Sequence, residues 1–341
     1  MKSIYIYILE DVMRGLRFMG NSKVEIAELP DPKVGEGDVL VRVKASAICG
    51  SEMGSYRSPN AMEGNAGHEV MGVVADPNGS SGFRKGDRVG VFVIQGCGKC
   101  LWCLQGKPDF CAQAGAVGNA HSEYVVSKET WLHPLSDDIS DEIGVLLAGD
   151  GLGVPCGASL RAGVEKGDIT CVFGVGPVGL GMTLVHTFLG ARVIAVDINP
   201  HRLNLAKEMG AWKTINSKET PDLRSILLDL TNGLGPNKCF ECSGRQETLD
   251  IAIDTTIPEG IVTVIGHGQQ SINPQRLIFR KNLRLMGNWV CHFSDYNNML
   301  VMLNNGLQAQ RLVTNSFPLE QANEAYKRFS EGLEGKVILT Q

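Results

Sequence analysis

The sequence predicts an α/β protein in which an all-β, barrel-like region precedes a parallel sheet covered by helices on both faces. Three observations carry this reading. The first third breaks into short strand signals separated by Gly, Pro and Asp. After about residue 150, buried strands alternate with helices, and a glycine-rich turn joins the first of those strands to its helix. The composition suits such a fold: 341 residues, 43% hydrophobic and 20% charged, allow about two domains and exclude a disordered chain. A net charge of −5 offers no basic face for nucleic acid.

The elements follow in order. Val39 to Val43, Val70 to Val74, Arg88 to Ile94 and Glu123 to Val126 are strand signals. The turns Gly35-Glu36-Gly37-Asp38 and Arg84-Lys85-Gly86-Asp87 lead into two of them. Ile169 to Phe173 is a buried strand, followed by a glycine turn and an apolar helix ending at Gly190. Arg192 to Val196 is the next strand, and Pro200 to Met209 a helix stopped by Gly210. Strands Lys238 to Cys242 and Ile261 to Ile265 continue the sheet. The tail holds helices Tyr296 to Asn304 and Leu319 to Phe329, then a closing strand Lys336 to Leu339.

Ile4 to Leu9 is apolar, but Glu10 and Asp11 follow and no small-residue cleavage site appears, so no secretory leader is expected. Met13-Arg14-Gly15-Leu16 reads as an ordinary start, which makes residues 1–12 an extension. Ile169 to Ala191 lacks Asp, Glu, Lys and Arg, yet its five glycines, Pro177 and His186 fit a strand, turn and buried helix better than a membrane span. The chain is expected to be soluble and cytoplasmic, with no membrane partner. Four of its ten cysteines crowd into residues 97–111, and in a large chain without a leader such clustering points to metal or catalysis rather than disulfides.

Gly174-Val175-Gly176-Pro177-Val178-Gly179 matches the GxGxxG pattern between a strand and a helix. Glycines there let backbone N–H groups approach a pyrophosphate at the positive end of the helix. Asp197 ends the following strand, 23 residues after Gly174, where a carboxylate binds a ribose 2′-hydroxyl and repels a 2′-phosphate. The cofactor is therefore expected to be NAD. Arg202 would soften that preference if it faced the ribose instead of solvent.

Cys97, Cys100, Cys103 and Cys111, spaced among loop residues, suit a closed tetrahedral zinc site of structural type. Cys239-Phe240-Glu241-Cys242 repeats the CxxC spacing but lies in an apolar strand. A redox CxxC wants a helix N-terminus, so these read as buried strand cysteines.

Together these motifs, with Ile48-Cys49-Gly50-Ser51-Glu52, Gly67-His68-Glu69 and Phe240-Glu241-Cys242-Ser243-Gly244, give a chain that resembles the zinc-dependent medium-chain alcohol dehydrogenases, in particular their polyol and secondary-alcohol branches. The resemblance implies a GroES-like catalytic domain in two pieces, 1–153 and 291–341, with a zinc lobe at about 95–112. A doubly wound Rossmann NAD-binding domain would occupy 154–290. It also implies two zinc ions per chain, NAD as cofactor, a small-molecule alcohol or ketone substrate and a homo-oligomer, dimer or tetramer. Cys49 and His68 would bind the catalytic zinc, although each taken alone reads as a buried thiol or a core histidine. The third ligand of the family lies seventeen residues before the turn glycine ahead of the dinucleotide strand. Counting back from Gly167 reaches Asp150, with Cys156 the rival. Glu69 would be a transient fourth ligand or a supporting group, Ser51 the acceptor of the alcohol proton, Lys336 a contact to the pyrophosphate, and Gly266 a floor under the nicotinamide.

The chain departs from the family in places. Gly54 stands where many relatives carry the His that passes the proton out, and Glu52 replaces the common Asp. His121 and Val93 occupy pocket positions often held by aromatics, which suits a hydroxylated substrate. The resemblance thus implies transfer of hydride between a secondary alcohol, such as a polyol or sugar, and NAD. Two rivals are a zinc-free NADPH-dependent enone or quinone reductase of the same fold, against which Cys49 and the lobe speak, and a non-catalytic binding protein.

Overall fold

In the computed structural model, which describes residues 12–341, the strands between residues 169 and 287 form one six-stranded parallel sheet. Its order is Lys213–Asn216, Arg192–Asp197, Ile169–Phe173, Lys238–Glu241, Ile261–Val264 and Arg284–Gly287. The order reverses beside Ile169–Phe173, and in such sheets a ligand crevice opens at the carboxyl ends of the strands around the reversal. Alternation explains why these strands are apolar throughout. Val172 packs into the layer that holds helix Pro177–Phe188, while Cys171 and Phe173 pack into the opposite layer with Leu223, Leu227 and Leu249. Helix Pro177–Phe188 starts on Pro177 at its first turn and stops where Gly190 adopts φ +86°. The apolar run Ile169 to Ala191 is thus a strand, a turn and a helix, as expected. Among the described residues no single helix is long and apolar enough to cross a membrane.

The second sheet is mainly antiparallel and has the order Val313–Pro318, Lys336–Thr340, Asp38–Ile48, Glu69–Asp76, Arg88–Val91 and Leu132–Pro134. Tyr124–Lys128 pairs with Asp38–Ile48 as well. The closing strand therefore returns to the first third of the chain, with Val337 opposite Ile48. One expected strand is broken: Arg88 to Ile94 forms Arg88–Val91, then leaves the sheet so that Ile94–Gln95 can pair with Gly115–Ala116. An N-terminal hairpin, Val12–Gly20 with Lys23–Pro30, was not anticipated from the sequence. Apart from Val12, the expected N-terminal extension lies outside the described residues.

His133 shows how the barrel fixes a protonation state. It is stacked between Phe293 at 4.1 Å and Tyr296 at 4.2 Å, and burial alone pulls its pKa from 6.5 down to about 3. Below pH 6.5 the unfolded chain takes up a proton there that the folded chain refuses, so stability falls as pH drops from 6.5 toward 3. His133→Phe keeps the stack and removes the titration. Between pH 7.5 and 5.5 the parent should lose about 1.4 kcal/mol more stability than the variant in denaturant melts. Equal losses would refute the assignment.

Candidate active site

Two strand ends and a helix start bring four donors together. Strand Asp38–Ile48 ends one residue before Cys49, and Glu69 opens the strand paired with it, Ala47 opposite Glu69, so Cys49 and His68 emerge side by side. Asp150 is the first residue of helix Asp150–Arg161. The Cys49 thiol, the His68 ring and the Glu69 and Asp150 carboxylates offer atoms all within 4.8 Å of one another. Asp150 Oδ2 lies 3.5 Å from His68 Nε2 and 3.7 Å from Cys49 Sγ. Ligands at zinc bond lengths stand about 3.3–3.8 Å apart around a tetrahedron. Two buried oxygens in the cluster, Asp150 Oδ1 and Glu69 Oε2, have no hydrogen-bond partner among the described residues. The set therefore fits a bound cation.

The donors also hold one another by hydrogen bonds. Burial opposes a proton on His68, yet hydrogen bonds to Asp150 and Cys49 hold its pKa up to about 12. Burial pushes the Asp150 carboxyl up, but the hydrogen bond and charge of His68, with Lys336 and Cys49, together outweigh it and keep Asp150 below its ordinary value. His68 Nδ1 is 3.0 Å from the Ala66 carbonyl, and with a proton donated there, a cation that displaces the Nε2 proton meets that nitrogen's lone pair.

The cysteine lobe is a second site. Sγ atoms of Cys100 and Cys103 are 3.5 Å apart and those of Cys97 and Cys103 4.0 Å, either side of the ~3.8 Å edge of a zinc–thiolate tetrahedron. Backbone N–H groups of Lys99 and Cys100 lower the Cys97 thiol to about 6. Those of Cys97, at 3.4 Å, and Gln113, at 3.3 Å, lower Cys111. Burial pushes Cys103 up to about 12, so a metal would have to displace its proton.

A cavity of about 590 Å³ joins the donor cluster to the glycine turn. Its lining includes Cys49, His68, Asp150 and Ser51 together with Gly176, Pro177, Val178, Gly179 and Gly266. Gly174 sits at φ +86°, which only glycine adopts freely. Asp197 accepts the N–H of Val175 at 2.8 Å and of Asn199 at 2.9 Å, so the carboxylate also fastens the turn.

Residues 35–137 match the alcohol dehydrogenase GroES-like domain family, and residues 177–305 the zinc-binding dehydrogenase family. An uncharacterized zinc-type alcohol dehydrogenase-like protein of Escherichia coli, YphC, is 32% identical over 94% of this chain and 96% of its own. The chain belongs to the zinc-dependent medium-chain alcohol dehydrogenase family. A sorbitol dehydrogenase of Halalkalibacterium halodurans is 29% identical, with 94% of this chain and 96% of that one covered. The solved structure of alcohol dehydrogenase TADH from Thermus sp. ATN1 superposes with a TM-score of 0.88 at 28% identity, covering 96% of this chain and 100% of the other. The protein is accordingly an oxidoreductase of the alcohol dehydrogenase type, built from GroES-like and Rossmann-type units.

Within that family frame, several residues lie elsewhere than expected. His121 does not reach the substrate cavity. It is fully buried, with Nε2 3.1 Å from Glu52 Oε2 and Nδ1 2.8 Å from Ser46 Oγ, because a buried imidazole must satisfy both nitrogens. Lys336 lines the cavity, but its ammonium is committed to Glu69 and, at 3.2 Å, to the Ile48 carbonyl rather than aimed at the glycine turn. Buried ammonium and carboxylate groups demand such pairing. Arg202 is half-buried, not solvated: a Cβ on Gly176 would stand 3.9 Å from its guanidinium, and its Nε lacks a partner among the described residues. Cys156 points at the Met302 sulfur, 3.8 Å away, and takes no part in the cluster. Cys239 is buried opposite Cys171 in the sheet, whereas Cys242 emerges into the cavity. The sequence reading missed His267 and Trp289, which also line the cavity. Position directly after Gly266 was the available signal for His267.

Proposed function

We propose that this protein oxidises a secondary alcohol to a ketone with NAD as hydride acceptor and holds two zinc ions per chain. Cys49, His68 and Asp150 hold the catalytic ion; Cys97, Cys100, Cys103 and Cys111 hold the structural one. The observation that carries the reading is the single cavity lined by the cation-fitting donors and by the glycine turn with Gly266. Zinc, when bound, supplies a Lewis acid that makes an alcohol easier to deprotonate. Ser51, beside Cys49 in that cavity, accepts the alcohol proton. Lys336 neutralises Glu69, which keeps a second carboxylate from overloading the donor set. Gly174, Gly176 and Gly179 cradle the pyrophosphate, Arg202 stands behind Gly176, and Asp197 binds the adenosine ribose.

Val93, Ile94, Ala116 and Val117 give the cavity aliphatic walls, which suits the carbon skeleton of a secondary alcohol. His267, next to Gly266, adds a polar group to the cavity, which suits a substrate carrying a second oxygen, as a polyol or sugar does. The kinship with a sorbitol dehydrogenase supports the same class. A panel of polyols, sugars and simple secondary alcohols, read by NADH formation, tests this. Zinc-replete protein that turns over none of them would leave the binding-protein reading, and reduction of enones with NADPH would favour the other rival.

Cofactor choice is a separate expectation. NAD should exceed NADP in kcat/KM by roughly 10–100-fold, the worth of a charged hydrogen bond, and Asp197→Ser should erase most of that margin. A parent enzyme that prefers NADP would reverse the assignment.

A further inference from the structure

Three buried polar side chains converge behind the donor cluster. Glu52 ends the short turn Gly50–Glu52 that follows Cys49 and is 1% exposed. Its Oε1 accepts the Cys49 N–H at 2.8 Å, and its Oε2 is shared by His121 Nε2 and the Tyr326 hydroxyl. His121 in turn touches the other ligand loop. A Cβ on Gly67 would lie 2.5 Å from its Cδ2, so the ring rests on the backbone next to His68. The His121 N–H and the Gly67 N–H both donate to Asn65 Oδ1, each at 3.1 Å. Tyr326 belongs to helix Ala322–Ser330 and ties the assembly to the C-terminal part of the chain.

Strand pairing at Ala47 and Glu69 sets the approach of the two ligand loops, but Cys49 and His68 lie just beyond that ladder. Past its end, Glu52 holds the Cys49 side, Gly67 and Asn65 hold the His68 side, and His121 joins the two. Every carboxylate oxygen and imidazole nitrogen in the set has a partner, which is the condition under which a buried polar network rigidifies its surroundings. We infer that Glu52, His121 and Tyr326 form a positioning unit that sets the separation of Cys49 from His68 and the aim of Ser51, and so governs retention of the catalytic zinc. The inference rests on the zinc assignment of the proposed function.

The test uses the full-length zinc-loaded protein and follows zinc transfer to a chromogenic chelator, with the lobe zinc as internal reference. Tyr326→Phe removes one hydroxyl and keeps the ring packed against Phe18 and Tyr56 at 5.3 and 5.2 Å. Glu52→Gln keeps the shape and removes the charge. Release from the Cys49 site should quicken 10–100-fold in Glu52→Gln and by a smaller factor in Tyr326→Phe, while lobe release is unchanged. kcat should fall with KM for NAD unaltered. Release at the parent rate from both sites, with only the melting temperature lowered, would show a merely structural network and overturn the inference. A parent protein that binds zinc in the lobe alone would overturn the zinc assignment first and the inference with it.

Discussion

Asp150→Ala should lower turnover by on the order of 10³-fold or more and reduce zinc from two ions per chain to one. A catalytic zinc needs three protein ligands and an open position. Removing Asp150 leaves Cys49 and His68, with Glu69 engaged by Lys336. Loss of the Lewis acid forfeits several kcal/mol of transition-state stabilisation, and each ~1.4 kcal/mol is a factor of ten. Asp150→Asn keeps an oxygen but not the anion, so it should bind zinc more weakly without abolishing it. If Asp150 served only as an acid in the first turn of its helix, whose N-cap is Gly149, alanine would cost about 0.3–1 kcal/mol of stability and spare the chemistry. Metal analysis with steady-state kinetics separates the two. A zinc-replete, active Asp150→Ala enzyme would pass the ligand role to Glu69, since Cys156 faces Met302.

That prediction starts from a spacing, and spacing is what the sequence displays well. The glycine turn, the count from Gly167 to Asp150 and the cysteine lobe are all local or nearly so, and the structure brings each group together. The alternating strands and helices after residue 168 were legible because both faces of a parallel sheet are buried, which leaves continuous apolar runs. What could not be read was how distant polar groups pair. His121 looks like a pocket residue until Glu52, 69 positions away, is seen to face it. Lys336 and Glu69, 267 positions apart, neutralise each other inside the core. The hairpin Val12–Gly20 with Lys23–Pro30 escaped because charged residues interrupt its apolar positions, and its turn relies on Asn21 and Ser22 at φ 53° and 60°. The broken strand after Val91 likewise answers a tertiary demand, the pairing that frames the lobe.

The lobe itself yields the other large effect. Cys103→Ser should cost one zinc ion and several kcal/mol of stability, a large part of a total on the order of 10 kcal/mol. The reason is the lobe's poverty of other structure. Its two helical turns, Leu101–Leu104 and Pro108–Phe110, are 4 and 3 residues long, far short of what holds a helix unaided. Leu101, Leu104 and Phe110 are exposed, so little apolar burial would replace the metal. The lobe nevertheless anchors its surroundings: Gly96 accepts the Trp131 indole N–H at 3.0 Å, Gly106 accepts the Ser294 N–H at 3.1 Å, and Asp109 meets His292 Nδ1 at 3.1 Å. Through residues 292–294 it braces Val290 and Trp289, which line the substrate cavity. Limited proteolysis should therefore cut Cys103→Ser between Cys97 and Cys111, and kcat/KM should fall although the Cys49 site keeps its zinc. The opposite outcome, a variant with two zinc ions and unchanged protease resistance, would mean that the four thiols do not form the structural site. A fall in kcat/KM that came with loss of the Cys49-site ion would instead show that the two metal sites are coupled across the 290–295 segment.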